Sequence, residues 1–131
     1  MITSKPCNYR LIPMVWTLKR LGVPQGFKDA SDWQLWVMDV LDNSGLTEEY
    51  IVQSNDPFCS LLGYFAYQDG YCIHHKGKVL DIQMLVLSPS CKETRQVWKS
   101  ILESAKRNGY SWVARRQHQP DGSIKTIFTE V

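Results

Sequence analysis

The sequence predicts an α+β fold of the α/β-sandwich kind: a largely antiparallel central sheet of about six strands with helices on both faces. Three observations carry this. Two stretches of helical period open the chain, segments rich in β-branched and aromatic residues fill its middle, and a strongly marked helix separates those from two final strands. With 131 residues, 44% of them hydrophobic and 21% charged, the chain can bury the core of one domain spanning 1–131. That composition excludes disordered, collagen-like and low-complexity classes.

The first helix is expected over 11–21, where Leu11, Met14, Val15, Leu18 and Gly22 share a face, Pro13 fits the first turn, and Gly22 and Pro24 stop it. The second opens with Ser31 and Gln34 at capping-box spacing, places Trp33, Trp36, Val37, Val40 and Leu41 on one stripe, and ends before Gly45. Strands are expected at 50–52, 61–67, 71–75 and 79–87. Asp69-Gly70 signals a hairpin between the second and third of these, and Lys76-Gly77-Lys78 a turn between the third and fourth. Gln83-Met84-Leu85-Val86-Leu87 is nearly all apolar, which suggests a central strand covered on both faces.

Ser90 and Glu93 form a capping box for the third helix, expected over 91–108, with Val97, Trp98, Ile101, Leu102 and Ala105 as its stripe and Lys106-Arg107 before Gly109. A strand over 110–117 then turns at Pro120-Asp121-Gly122 into a last strand over 124–129.

A formal charge of +2 gives no support for nucleic-acid binding. No run reaches the length of a membrane span, and Met1 to Pro6 has no apolar signal core, so no membrane partner and a cytoplasmic location are expected. Cys7, Cys59, Cys72 and Cys91 lack any CxxC spacing and read as free thiols. Strand alternation would put Cys72 and His74 on one face and His75 on the other, and no second pair stands at zinc spacing, so no metal site is expected.

The most informative segment runs from Asp81 through the apolar strand and Ser88-Pro89-Ser90 to Trp98. It joins a strand end to a helix start, where unpaired backbone N–H groups and the helix dipole attract anions. Lys92 and Arg95 add cations at the same place.

The order of elements and this segment resemble the GNAT superfamily of N-acetyltransferases over about residues 9–117, with a short or absent first strand near Ile2. The resemblance implies that 79–87 is the fourth strand, with Leu85 and Leu87 beside acetyl-coenzyme A, and that the following helix holds the pyrophosphate. The family's loop, Gln/Arg-x-x-Gly-x-Gly/Ala, falls on Lys92-Glu93-Thr94-Arg95-Gln96-Val97. Lys92, Arg95, Gln96 and Val97 are thereby its cofactor-binding positions. Arg95 and Val97 stand where the family has glycine, so a guanidinium takes the place of a bare backbone. Asp81 falls where many members carry a glutamate as general base.

The resemblance implies transfer of an acetyl group from acetyl-coenzyme A to an amine acceptor. The family's later helix, which supplies an acid for the leaving thiolate, has no counterpart, because Pro120-Asp121-Gly122 turns tightly there. Small acetyltransferase-like proteins of tailed phages, some carried in virions, are similar in this. The alternative function is a catalytically inactive GNAT-fold protein that binds a ligand or a protein partner, or is virion-associated. Trp33, Trp36 and Trp98 are expected in the core, Trp16 with Tyr9 could form an exposed apolar patch, and Arg115-Arg116-Gln117-His118 with Lys125 forms a basic edge.

Overall fold

A computed structural model of the protein describes residues 2–6, 10–53 and 60–131. Cys7, Cys59 and Tyr9 lie outside them. In chain order the elements are β1 (Ile2–Pro6), α1 (Leu11–Leu21), α2 (Ala30–Asn43), β2 (Thr47–Gln53), β3 (Leu61–Cys72), β4 (His75–Leu87), α3 (Thr94–Arg107), β5 (Trp112–His118) and β6 (Ile124–Glu130). The strands form one six-stranded sheet in sequential order. All neighbours are antiparallel except β4 and β5, which are parallel. β4 is thus central and feeds α3, as its apolar run predicts. The short first strand at Ile2 is present and pairs with β2.

Helices cover both faces, each closing its own core. On one face Val97, Ile101 and Ala105 of α3 meet Ile51, Phe65, Leu80, Ile82 and Val113 of the sheet, with Trp98 half-buried at the margin. On the other, Leu41 and Val37 of α2 meet Tyr50, Val52, Tyr64 and Ala66. A buried carboxylate ties α3 down. Tyr67 Oη donates to Glu49 Oε2 at 2.6 Å, and Ser104 Oγ donates to the same carboxylate at 2.9 Å. Burial and the Glu49 charge push the Tyr67 phenol well above its ordinary value of 10.0. Burial and a hydrogen bond to Asp69 do the same for Tyr110.

Several local expectations are corrected. β3 does not turn at Asp69-Gly70; both residues pair in mid-strand, with Leu80 and Val79, and the turn falls on Ile73 and His74. Gly70 serves close packing instead, since a Cβ there would stand 3.2 Å from Asp81 Cβ. Lys76-Gly77-Lys78 is an irregularity within β4, not a turn. Gly77 sits at φ +111° and a Cβ on it would lie 2.4 Å from Ser111 Oγ, so glycine is required where the chain leading into β5 crosses. Because residues 73 and 74 form the turn, Cys72 faces His75 across it and does not share a strand face with His74.

The caps differ too. Asp29, not Ser31, caps α2, its carboxylate accepting from Asp32 N at 2.8 Å. Helix α3 begins at Thr94, three residues late, because Glu93 Oε2 turns back to accept from Lys92 N at 3.0 Å and makes no helix cap. In α1 the inward residues are Pro13 and Met14, while Leu11 and Val15 are exposed. Arg10 sets that orientation by clasping Glu48 with Nε and Nη2, each at 2.8 Å, and pairing with Asp42. Trp16 is half-buried.

Ile101 is fully buried. Ile101→Ala should therefore cost about 2–5 kcal/mol in urea unfolding, and Ile101→Val only about 0.5–1.5; equal effects would contradict the packing. For the two buried tyrosines, the folded state keeps protons that the unfolded phenols lose near the ordinary value of 10.0. Stability is then fully present below about pH 10 and falls as pH rises beyond it. Tyr67→Phe should flatten that alkaline limb, and an unchanged limb would contradict the assignment.

Candidate functional site

β4 and β5 run together only briefly. Their ladder joins Val79, Leu80 and Asp81 to Trp112, Val113 and Ala114, and among the described residues no pair follows. Beyond it β4 continues alongside β3 to Leu87, while β5 turns with β6 to His118. An irregularity in the β3 register between residues 82 and 84 bends β4 where the strands part. The gap leaves one edge of β4 without a strand partner, an open row of backbone N–H and C=O groups.

This gap opens into a cleft of about 820 Å³. Gln83, Met84, Leu85 and Val86 of β4 form its floor, and Arg115, Arg116 and His118 of β5 one side. Helices α1 and α2 supply the opposite wall through Thr17, Arg20, Leu21, Trp33, Trp36 and Val37. Trp36, expected in the core, is 57% exposed on this wall. The half-covered end of β4 corrects the expectation of two buried faces: Gln83 and Leu85 are exposed, Leu85 by 38%.

Asp81 stands at the last rung of the ladder, where the strands separate. Its carboxylate is bound by Arg116, whose Nη1 and Nη2 reach Oδ1 and Oδ2, the latter at 3.2 Å, and by Gln83 Nε2 at 3.0 Å from Oδ2. Its side chain is only 16% exposed. The carboxylate raises the Arg116 guanidinium further above its usual value. Both partners of Asp81 line the cleft, so a group that engages either one acts directly on this carboxylate.

The expected cofactor residues divide into three groups. Leu85 lines the cleft. Leu87 and Val97 pack into the core beneath α3, so Val97 presents no surface to a ligand. Lys92, Arg95 and Gln96 are exposed at the start of α3, with Lys92 in the preceding loop and Arg95 and Gln96 in the first turn. That turn has no side-chain cap, leaving its N–H groups to an outside acceptor. The basic edge is partly spent: Arg116 is paired with Asp81, and the Arg115 guanidinium lies 5.6 Å from the Trp98 ring centre. Sequence reasoning missed Gln83 as a clamp on Asp81, and Arg20, Trp33 and Trp36 as cleft wall. Gln83 stands two residues from Asp81 on the same strand, a spacing that could have found it, whereas no spacing links Arg20, Trp33 and Trp36 to Asp81; the helices bring them there.

No protein-family model matches the chain. Protein 7 of Escherichia phage T7 is 33% identical over 120 residues, covering 88% of this chain and 87% of that protein. The chain belongs to the phage T7 protein 7 family. Among solved structures, a GNAT family acetyltransferase from Staphylococcus aureus superposes with a TM-score of 0.61 at 10% identity, over 95% of this chain and 92% of that one. The fold is therefore GNAT-like. The NatC complex bound to Gag peptide and coenzyme A aligns with a TM-score of 0.47 at 9% identity, over 92% of this chain and 76% of that one. No helix among the described residues is long and apolar enough to cross a membrane.

The Asp81 and Arg116 side chains should be energetically coupled. A double-mutant cycle on Asp81→Ala and Arg116→Ala, read by urea unfolding, should return about 0.5–1 kcal/mol. Strict additivity would show that the pair does not hold in solution.

Proposed function

We propose that the cleft between β4 and β5 takes acetyl-coenzyme A and an amine, and that the protein transfers the acetyl group between them. The observation that carries this reading is the three-rung parallel ladder, with an open β4 edge and a cleft of about 820 Å³ beyond it. Residues 82–86 offer backbone groups to the amides of the pantetheine arm, and Leu85 offers apolar contact to it. The uncapped first turn of α3, with the Lys92 and Arg95 side chains, suits the phosphates. Val97 belongs to the core, so phosphate contact falls to these side chains and the first-turn N–H groups.

Acetyl-coenzyme A supplies an activated acyl thioester. The chain's own contribution is to orient the amine and accept its proton. Asp81, hydrogen-bonded by Arg116 and Gln83, takes that proton directly or through one water as coenzyme A leaves from the thioester as its thiolate. The wall of Trp33, Trp36 and Val37 excludes water from the opposite side.

One observation favours a second reading. The two-point Arg116 contact occupies the carboxylate that must act as base, which suits a protein that holds a ligand or partner without turnover. Residence in a virion is compatible with that reading, as is a cytoplasmic location with either.

Calorimetry with coenzyme A and an assay of acetyl transfer separate them. On the enzymatic reading, Asp81→Asn should lower turnover by about 10²-fold and leave coenzyme A affinity nearly unchanged. Equal turnover in the variant would remove Asp81 as the base. Arg95→Gly should weaken binding if the guanidinium meets phosphate. No heat of binding with either chain would exclude acetyl-coenzyme A as the ligand.

A further inference from the structure

The turn of the β3/β4 hairpin carries chemistry that the cleft does not use. Cys72 ends β3, His75 begins β4, and they pair across the two-residue turn of Ile73 and His74. His75 Nδ1 lies 3.1 Å from Cys72 Sγ. The imidazole is clamped: it stacks on Phe128 with ring centres 4.3 Å apart at 15°, and meets Trp112 edge-on at 4.5 Å. Trp112 is itself anchored, its Nε1 donating to Lys76 O at 3.0 Å. These rings hold Nδ1 towards the sulfur. Tyr71 and Ile73 flank the thiol and are 86% and 96% exposed, so the tip projects into solvent. Cys91 provides a contrast within the same chain. Its Sγ lies 3.7 Å from Glu93 Oε2, an anion that would repel a developing thiolate.

We propose that Cys72 and His75 form a thiol–imidazole pair that makes Cys72 a site of thiol–disulfide exchange with low-molecular-weight disulfides. His75 Nδ1 accepts the Cys72 proton, and the thiolate attacks one sulfur of the disulfide. The Cys72 sulfur–sulfur bond forms as the disulfide's own bond breaks, and the departing thiolate takes the proton back from His75. One thiol and one disulfide become one mixed disulfide and one free thiol, with no further oxidant. The modified hairpin tip would then carry the added group at the end of the sheet, remote from the cleft.

The test uses the full chain, native and denaturant-unfolded, treated with iodoacetamide or with oxidised glutathione and read cysteine by cysteine by peptide mass spectrometry. Native Cys72 should react about ten-fold faster than native Cys91 and faster than Cys72 in the unfolded chain, and glutathione should be found on Cys72. His75→Asn should return Cys72 to the unfolded reference rate while Cys91 is unchanged. Native Cys72 reacting no faster than in the unfolded chain would overturn the proposal, and that comparison requires no variant to fold. A folded His75→Asn chain as reactive as the wild type would overturn it equally.

Discussion

Two adjacent parallel strands cannot be joined by a tight turn, and the single parallel pair in this sheet orders the rest of the molecule. To bring β5 beside β4 in the same direction, the chain must cross a face of the sheet, and α3 is that crossing. Its buried stripe of Val97, Ile101 and Ala105 closes one core, and Ser104 ties it to the buried Glu49. The ladder it sets up has three rungs, after which β4 continues with β3 and β5 with β6. Past Asp81 and Ala114 the two halves of the sheet follow different partners. The cleft is the direct consequence.

That geometry gives Asp81 its position. It occupies the final rung, between a paired region that fixes its backbone and an open region where a ligand can stand. Gly70 and Gly77 permit the close contacts around it: a side chain at Gly70 would press on Asp81, and one at Gly77 would collide with Ser111 just before β5. A carboxylate so placed needs hydrogen-bond donors, and the Arg116 guanidinium and the Gln83 amide come from the two strands as they diverge.

Much of this was legible in the sequence because apolar period survives the details of local structure. The Val97, Ile101, Ala105 stripe identified α3, and the nearly apolar stretch from Gln83 to Leu87 marked β4 as central. Turn signals misled where tertiary contact overrode them. Asp69-Gly70 reads as a hairpin, yet Asp69 is used to accept from Tyr110 and to pair with Lys78 at 3.3 Å, and the glycine makes room for Asp81. Ser90 and Glu93 have the spacing of a capping box, but Glu93 bonds the backbone beside it and delays the helix. Of the site, Asp81 and Leu85 were singled out by the resemblance; Asp81 stands on the last rung of the ladder and Leu85 lines the cleft. Val97, placed against phosphate by resemblance, is held by the core. The cleft wall was invisible, because Trp33 and Trp36 share one helical stripe while only Trp33 is buried.

The proposed ligand site lies where β4 parts from β5. Hydrogen–deuterium exchange with and without saturating coenzyme A measures it residue by residue. Binding in the gap predicts slower exchange at residues 82–87 and 115–118 and at the first turn of α3, with the β1/β2 ladder unchanged. Unaltered exchange along both diverging strands would show that coenzyme A does not bind in the gap.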